Sequence, residues 1–188
     1  MDTLLPLFHT VVDTALGPIG LMWRVEEDRH PLVRVQLPAG GEPETERALT
    51  QRHPSTRAER LPAWIERLAG MIRAYAGGEE VDFAGVPVDF GPVEPLRGAI
   101  YVALRKLGHG EVVTYGELAE RAGFPGQAQA VGQAMGRNPM PLVVPCHRVL
   151  AAGGKLGGFS APGGVATKER MLRLEGVLKA PAQGELFG

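Results

Sequence analysis

Three short apolar runs open the chain and are separated by turn residues. They cover residues 9–12, 19–25 and 32–37, with Gly17-Pro18 between the first two. Short apolar runs with such breaks are typical of antiparallel strands joined by tight turns. The pattern therefore predicts a β-meander. The Gly-, Pro- and Glu-rich residues 38–54 predict a loop with at most a short helical piece.

A helical period follows the loop. Apolar residues recur at every third or fourth position from Leu61 to Tyr75 and stop at Gly77-Gly78. This spacing predicts one amphipathic helix that a glycine pair ends. Trp64 and Tyr75 lie on its apolar stripe, so we interpret both as core residues rather than as ligand-binding ones. Residues 81–90 could hold one more short strand.

The second half of the chain has mainly helical spacing. A helix is predicted over residues 93–107, and a short strand over 111–113 leads to Thr114. Thr114 and Glu117 have the spacing of a capping box, so a helix should begin directly after Thr114. A second short helix is predicted over residues 127–136. Two short helices joined by a tight turn fit a helix-turn-helix, although any helical corner gives the same pattern.

Composition limits the classes of protein that fit. A chain of 188 residues that is 44% hydrophobic can bury one sizeable core, or one core and a small second one. Its single cysteine excludes internal disulfides and cysteine-rich zinc sites and fits a reducing compartment. No apolar run reaches the length of a membrane span, and no signal pattern opens the chain. We therefore expect a soluble, cytoplasmic protein.

Charge divides unevenly between the two halves. Residues 1–94 carry nine basic against 15 acidic side chains, and residues 95–188 carry 11 basic against six acidic ones, within a net charge of −1. The positive second half is compatible with a polyanionic partner. Solvated surface charge would give the same imbalance, so charge alone leaves the partner open.

The single cysteine lies in the segment Pro145-Cys146-His147-Arg148, after the apolar residues 141–144. That run predicts a strand, which the proline should end so that the thiol is presented. A neighbouring His or Arg lowers the pKa of a thiol, and the thiolate is the nucleophilic form. The residues alone leave two interpretations open, a buried inert cysteine and a catalytic nucleophile.

The wider sequence resembles the O6-alkylguanine-DNA alkyltransferases, DNA repair proteins that act once. The residues that carry the resemblance are 110–119, 130–135, 137–139, 145–149, 158–160, 168–169 and 175–176. Their order and spacing follow the family over about residues 92–177. The first half resembles the family's variable N-terminal domain only loosely, through the turn and strand at residues 17–21.

The resemblance implies a role for each candidate residue. Cys146 would accept the alkyl group, and His147 would be the base, acting through a water molecule because neighbouring side chains of an extended segment point apart. Glu175 would orient His147, as a carboxylate does in a Ser-His-Asp triad. Asn138 would brace the turn that holds the cysteine, and Tyr115 would donate to the departing base. The expected DNA contacts are Thr114, Ala128, Gln129, Ala130, Arg137 and Arg148, and the expected pocket walls are Met135, Val149, Phe159 and Ser160.

Two of these expected DNA contacts need comment, because one has an alternative role and the other differs from the family pattern. Arg148 could form a structural salt bridge instead of reaching DNA. Gln129 stands where the family usually has Arg, immediately before the Ala-Val-Gly stretch at residues 130–132. Glutamine can hydrogen-bond an orphaned cytosine, but it lacks the charge and planar fork of arginine.

The resemblance also implies the partner and the architecture. The partner would be double-stranded DNA carrying O6-alkylguanine, bound through the minor groove with the damaged base flipped out. We expect an α/β protein with a small N-terminal domain of an antiparallel sheet plus a helix over residues 1–91. Residues 92–188 would form a mostly helical, winged-helix-like domain with the helix-turn-helix. We expect a monomer without cofactor, associated with the nucleoid in a bacterium, and without metal because a second cysteine is missing.

Two other functions remain as alternatives. A non-repairing, alkyltransferase-like damage sensor would share the DNA-binding half, but that class typically lacks the acceptor cysteine. A thiol hydrolase could use Cys146 and His147 and would turn over repeatedly, whereas an alkyltransferase stops after one equivalent.

Overall fold

The computed structural model describes residues 5–26 and 30–179. Its N-terminal elements are β1 (Leu7–Val12), β2 (Ile19–Arg24), β3 (Leu32–Gln36), α1 (Glu42–Thr50), β4 (Thr56–Arg57) and α2 (Ala63–Ala76). The strands form one sheet in the order β3-β2-β1-β4. Strands β1, β2 and β3 pair antiparallel, which confirms the predicted β-meander, and β4 adds to β1 in parallel.

Two expectations for the N-terminal half need correction. Residues 42–50 form a nine-residue helix where the composition predicts a loop with at most a short helical piece. Pro43 lies in its first turn, where a missing N–H costs little, and Leu49 is buried against the sheet. Packing therefore stabilises a helix that propensity alone does not specify. Residues 81–90 form no strand and meet the sheet through a single bridge between Leu32 and Val88.

The C-terminal half is mostly helical, as predicted. Its elements are α3 (Pro95–Leu104), β5 (Val113–Thr114), α4 (Tyr115–Arg121), α5 (Ala128–Gly136), β6 (Val149–Leu150) and α6 (Gly164–Leu174). The capping box is confirmed, because Thr114 Oγ1 accepts from the Glu117 N–H and Glu117 Oε2 accepts from the Thr114 N–H. Helices α4 and α5 pack on each other, and β5 pairs with β6 in parallel.

The strand predicted for residues 141–144 is wrong. These residues form turns, and Leu142 has a φ of +78°, outside the extended region. The side chains from Leu142 to Val144 are all buried, so the apolar run fills the core instead of alternating between two faces. A 3₁₀ turn over Cys146–Arg148 follows directly. The cysteine is therefore held in a compact turn and not at the end of a strand.

One hydrophobic cluster contains residues of both halves, including Leu21 and Ile72 from the first and Leu104 and Met171 from the second. A backbone hydrogen bond of 3.0 Å from the Val35 N–H of β3 to the carbonyl of Pro139 also joins them. The domain boundary at residue 91 stays a prediction. Within the described ranges, no helix has both the length and the apolar character needed to cross a membrane.

Candidate active site

Cys146 lies at the start of the 3₁₀ turn and is 8% exposed. Burial raises the pKa of its thiol, and a hydrogen bond with the Asn138 side chain and the charge of Lys168 oppose that rise only in part. A thiol with a raised pKa carries its proton at neutral pH, so a nucleophilic role requires a base nearby.

Asn138 makes the contacts that a brace of this turn requires. Its Nδ2 donates to the carbonyl of Val144 at 2.8 Å, and its Oδ1 accepts from the Met140 N–H at 3.0 Å. The two bonds tie together both ends of the turn that leads into Cys146. The same side chain also lowers the pKa of the Cys146 thiol, so Asn138 acts on both the turn and the nucleophile.

His147 and Glu175 form a buried pair beside the cysteine. His147 Nε2 lies 2.7 Å from Glu175 Oε1, and neither side chain is exposed. An ionised carboxylate only accepts, so Nε2 carries the proton and Nδ1 keeps its lone pair. Nδ1 is buried and makes no hydrogen bond within the described residues. Burial lowers the pKa of His147, which leaves the ring neutral and its Nδ1 available as a base.

Glu175 is ionised because five hydrogen bonds surround its two oxygen atoms. Burial alone would raise its pKa, but hydrogen bonds from His147 and Arg148 outweigh that effect and hold the pKa far below its usual range. The backbone N–H of Gly110 adds a bond of 3.0 Å to Oε2. Gly110 has a φ of +73°, and a Cβ there would lie 3.0 Å from the Glu175 carbonyl oxygen, so this position requires glycine.

Arg148 is buried within the protein, so the structure contradicts the prediction that it contacts DNA. Its Nε donates to Glu175 Oε2 at 2.8 Å and its Nη2 to Oε1 at 2.9 Å, while Nη1 donates to the carbonyl of Leu107 at 2.6 Å. The side chain is 6% exposed. The structural salt bridge, the second interpretation of this residue, is the one that the structure shows.

A cavity of about 360 Å³ opens over the thiol, within the usual range for small-molecule pockets. It is lined by Tyr115, Gly132, Met135, Gly136, Cys146, Gly158, Phe159 and Ser160. Three of the four predicted walls are therefore in place. Val149 is the exception: its side chain is fully buried in the core, and its carbonyl accepts a 2.6 Å hydrogen bond from Lys168 Nζ.

Tyr115, at the first position of α4, forms another wall of this cavity. Burial raises the pKa of its hydroxyl group, with the charge of Cys146 as a second cause, so the group stays protonated and can donate. A Cβ at Gly157 would lie 3.5 Å from the Tyr115 hydroxyl oxygen, and one at Gly132 would lie 4.0 Å from its ring. Both glycines leave room beside the ring.

Helix α5 borders the cavity and presents an exposed face to solvent. Gln129, Gln133 and Arg137 are exposed at four-residue intervals, and Ala128 and Ala130 are half-buried at its first turn. Thr114 is also half-buried, with its hydroxyl oxygen engaged as the cap of α4. Exposed Arg137 makes no ion pair with any residue that the structure describes.

Two buried polar residues at the site have no predicted role in the chemistry. Lys168 is fully buried, and its spacing of three and four residues to Met171 and Leu172 could have placed it on the inward face of α6. Tyr75, predicted to be a core residue, donates a hydrogen bond to Glu175. Its position on an apolar stripe gives no signal of that contact. Among the described residues, no group of three or more His, Cys, Asp or Glu side chains could hold a metal ion.

Comparisons with known proteins point to one family. A family profile described as "6-O-methylguanine DNA methyltransferase, DNA binding domain" matches residues 95–177. A methylated-DNA–protein-cysteine methyltransferase of Mycolicibacterium paratuberculosis is 45% identical over 111 residues, which are 55% of this chain and 66% of that protein. The protein of the same name from Mycobacterium bovis is 44% identical over 126 residues, 67% of this chain and 73% of that protein.

The fold agrees over a longer stretch. The crystal structure of Mycobacterium tuberculosis OGT in complex with DNA has a TM-score of 0.71 and 31% sequence identity to this chain. The superposition covers 93% of this chain and 96% of that one, so it includes the N-terminal sheet as well as the helical half. This likeness confirms the predicted α/β fold class.

Proposed function

Because the chain belongs to the family of 6-O-methylguanine DNA methyltransferases, named methylated-DNA–protein-cysteine methyltransferases, we propose that it repairs DNA by direct alkyl transfer. In this proposal the alkyl group moves from O6 of guanine to Cys146, irreversibly and once per molecule. The observation that carries it is the buried thiol on the wall of an open cavity, next to a neutral histidine that a buried carboxylate orients.

The reaction is a displacement at carbon. The thiol proton passes to His147 Nδ1 through a water molecule, the S–C bond forms, and the C–O6 bond breaks with its electron pair staying on the guanine. Glu175 holds His147 in the tautomer that can accept the proton. Tyr115 donates a hydrogen bond to the departing base from the cavity wall. The thioether product has no thiol-exchange route back, which limits each molecule to one turnover.

The damaged base lies within the duplex, so it has to be flipped into the cavity at a cost of a few kcal/mol. Helix α5 borders the cavity and offers small residues, Ala128 and Ala130, for close approach to the minor groove. Gln129 is exposed beside them and would occupy the stack that the base vacates. Arg137 and Thr114 flank this surface as phosphate contacts. We infer that one monomer binds one lesion.

Incubation with a duplex carrying one O6-methylguanine, followed by intact-mass analysis and peptide mapping, tests the proposal. We expect one added methyl group on Cys146 and no more than one equivalent of repaired DNA. The Cys146→Ser variant should bind the duplex with similar affinity, because α5 is unchanged, and should transfer nothing. Repeated turnover would indicate a hydrolase, and methyl transfer by the serine variant would contradict the assignment of the acceptor.

A further inference from the structure

Tyr75 belongs to α2 of the N-terminal half, yet its hydroxyl group lies within the His147–Glu175 pair of the other half. The hydroxyl donates to Glu175 Oε1 at 3.0 Å, the same oxygen that accepts from His147 Nε2 at 2.7 Å. Its oxygen is also 3.4 Å from His147 Nε2. Arg148 Nη2 also donates to this oxygen at 2.9 Å, so three donors converge on it, and Tyr75 is the one from the N-terminal half.

The surroundings of Tyr75 keep its hydroxyl group protonated, so that it acts as a hydrogen-bond donor. Its side chain is fully buried, and burial together with the charge of Glu175 raises the pKa of the hydroxyl group well above its usual value. It therefore stays protonated and donates to an ionised partner. The ring also packs edge-on against His147, with centroids 6.4 Å apart at 65°, and against Phe83 at 5.9 Å and 66°. Both ring and hydroxyl are thereby fixed relative to the histidine.

We propose that Tyr75 is a positioning residue for alkyl transfer, whose hydroxyl group fixes Glu175 Oε1 and thereby sets the orientation and proton affinity of His147. A donor on Oε1 draws charge from the carboxylate and weakens its stabilisation of a protonated His147. Tyr75 thus keeps the base neutral at working pH. The inference rests on the proposed function and adds that the N-terminal half takes part in the reaction.

Tyr75→Phe tests this role because it keeps the ring and removes the hydroxyl group. Single-turnover rates are measured against pH on an O6-methylguanine duplex and on the free modified base. The acidic limb of the profile reports protonation of the base. Without the donor the pKa of His147 rises, so the limb should move to higher pH by roughly 0.5–1 unit on both substrates. The plateau rate should fall several-fold because Glu175 is less firmly held.

A matched control separates this effect from lost stability. Thr45 of α1 is fully buried in the same half, and its Oγ1 accepts a 3.1 Å hydrogen bond from the Ala39 N–H. Thr45→Val should lower the stability of the protein by about as much as Tyr75→Phe does, and should leave the dependence of the transfer rate on pH unchanged. In a Glu175→Gln background, which itself should slow transfer, Tyr75→Phe should have no further effect on the limb, because Tyr75 acts through Glu175.

If Tyr75→Phe does not fold, 3-fluorotyrosine is incorporated at position 75 instead. Fluorotyrosine is a stronger hydrogen-bond donor than tyrosine and has nearly the same size, so the acidic limb should move to lower pH. A Tyr75→Phe or fluorotyrosine profile that coincides with the wild-type profile overturns the inference. The inference is also overturned if Thr45→Val shifts the acidic limb by the same amount, or if Tyr75→Phe still shifts the limb in the Glu175→Gln background. Failure of the wild-type protein to transfer a methyl group would refute the proposed function instead.

Discussion

Replacing Arg148 by methionine removes the buried cation that faces Glu175 and keeps most of the aliphatic volume. The wild-type pair has side-chain exposures of 6% and 0%, and two hydrogen bonds join the guanidinium to the carboxylate. Breaking one partner of such a pair costs about 3–5 kcal/mol, because the remaining charge is buried without compensation. Against a total stability of about 5–15 kcal/mol, this is a large loss. The melting temperature should fall by roughly 6–20 °C.

The loss should depend on pH in a defined direction. The lowered pKa of Glu175 gives the wild-type protein stability that is present above the ordinary carboxyl pKa and is lost as pH falls toward the folded-state value. In Arg148→Met the pKa of Glu175 rises, because burial is then opposed by fewer donors. The variant has less stability to lose on acidification. The difference in unfolding free energy between wild type and variant is therefore largest near neutral pH and narrows as pH falls below the ordinary carboxyl pKa of about 4.3.

Urea unfolding at several pH values measures both effects, with Arg121→Met as the control. Arg121 pairs with Glu111 at 2.6 Å, but the two side chains are 50% and 40% exposed. Breaking this exposed pair should cost under about 1 kcal/mol. If Arg148→Met costs no more than this control, or if its deficit is the same at every pH, the reasoning about a charge-compensated Glu175 is refuted.

Three further predictions concern helix α5 and the support of Glu175. Gln129→Arg should speed transfer from duplex DNA about fivefold, since a charged hydrogen bond adds roughly 1 kcal/mol over a neutral one, and should leave the rate on the free base unchanged. Equal gains on both substrates would place residue 129 in the pocket. Arg137→Ala should reduce the slope of log affinity against log salt by about one, and an unchanged slope would mean that it meets no phosphate. Gly110→Ala should lower the urea midpoint, because its φ of +73° and the 3.0 Å approach to Glu175 exclude a side chain; wild-type stability would contradict this.

Local signals predicted local structure well. The capping box at Thr114 and Glu117 is read from residues three positions apart, and the helix begins there. The turn at Leu142 is an example of structure that local sequence signals do not predict. An apolar run is compatible with a strand or with a buried turn, and the choice depends on the core that surrounds it. Nothing within residues 141–144 specifies a positive φ at leucine.

The site was predicted as far as the family motif extends. Cys146, His147 and Glu175 lie together as expected, although His147 and Glu175 are 28 residues apart. The relation of Arg148 and Tyr75 to the same carboxylate was not predicted, because burial of a polar group depends on contacts distant in sequence. Tyr75 and Glu175 are 100 residues apart, and a tyrosine on an apolar stripe looks the same whether or not its hydroxyl group has a partner.

The hydrogen bond between the Val35 N–H and the Pro139 carbonyl limits how the two halves can be exchanged. Together with the shared apolar cluster, it makes the sheet part of the support for the segment that precedes Cys146. A chimaera that takes its first half from a relative would have to reproduce this register without any slip, since a slip by one residue turns the donor away from Pro139. We therefore expect each half to depend on the other for its stability, and substitutions on β3 to be constrained by its contact with the segment that precedes Cys146.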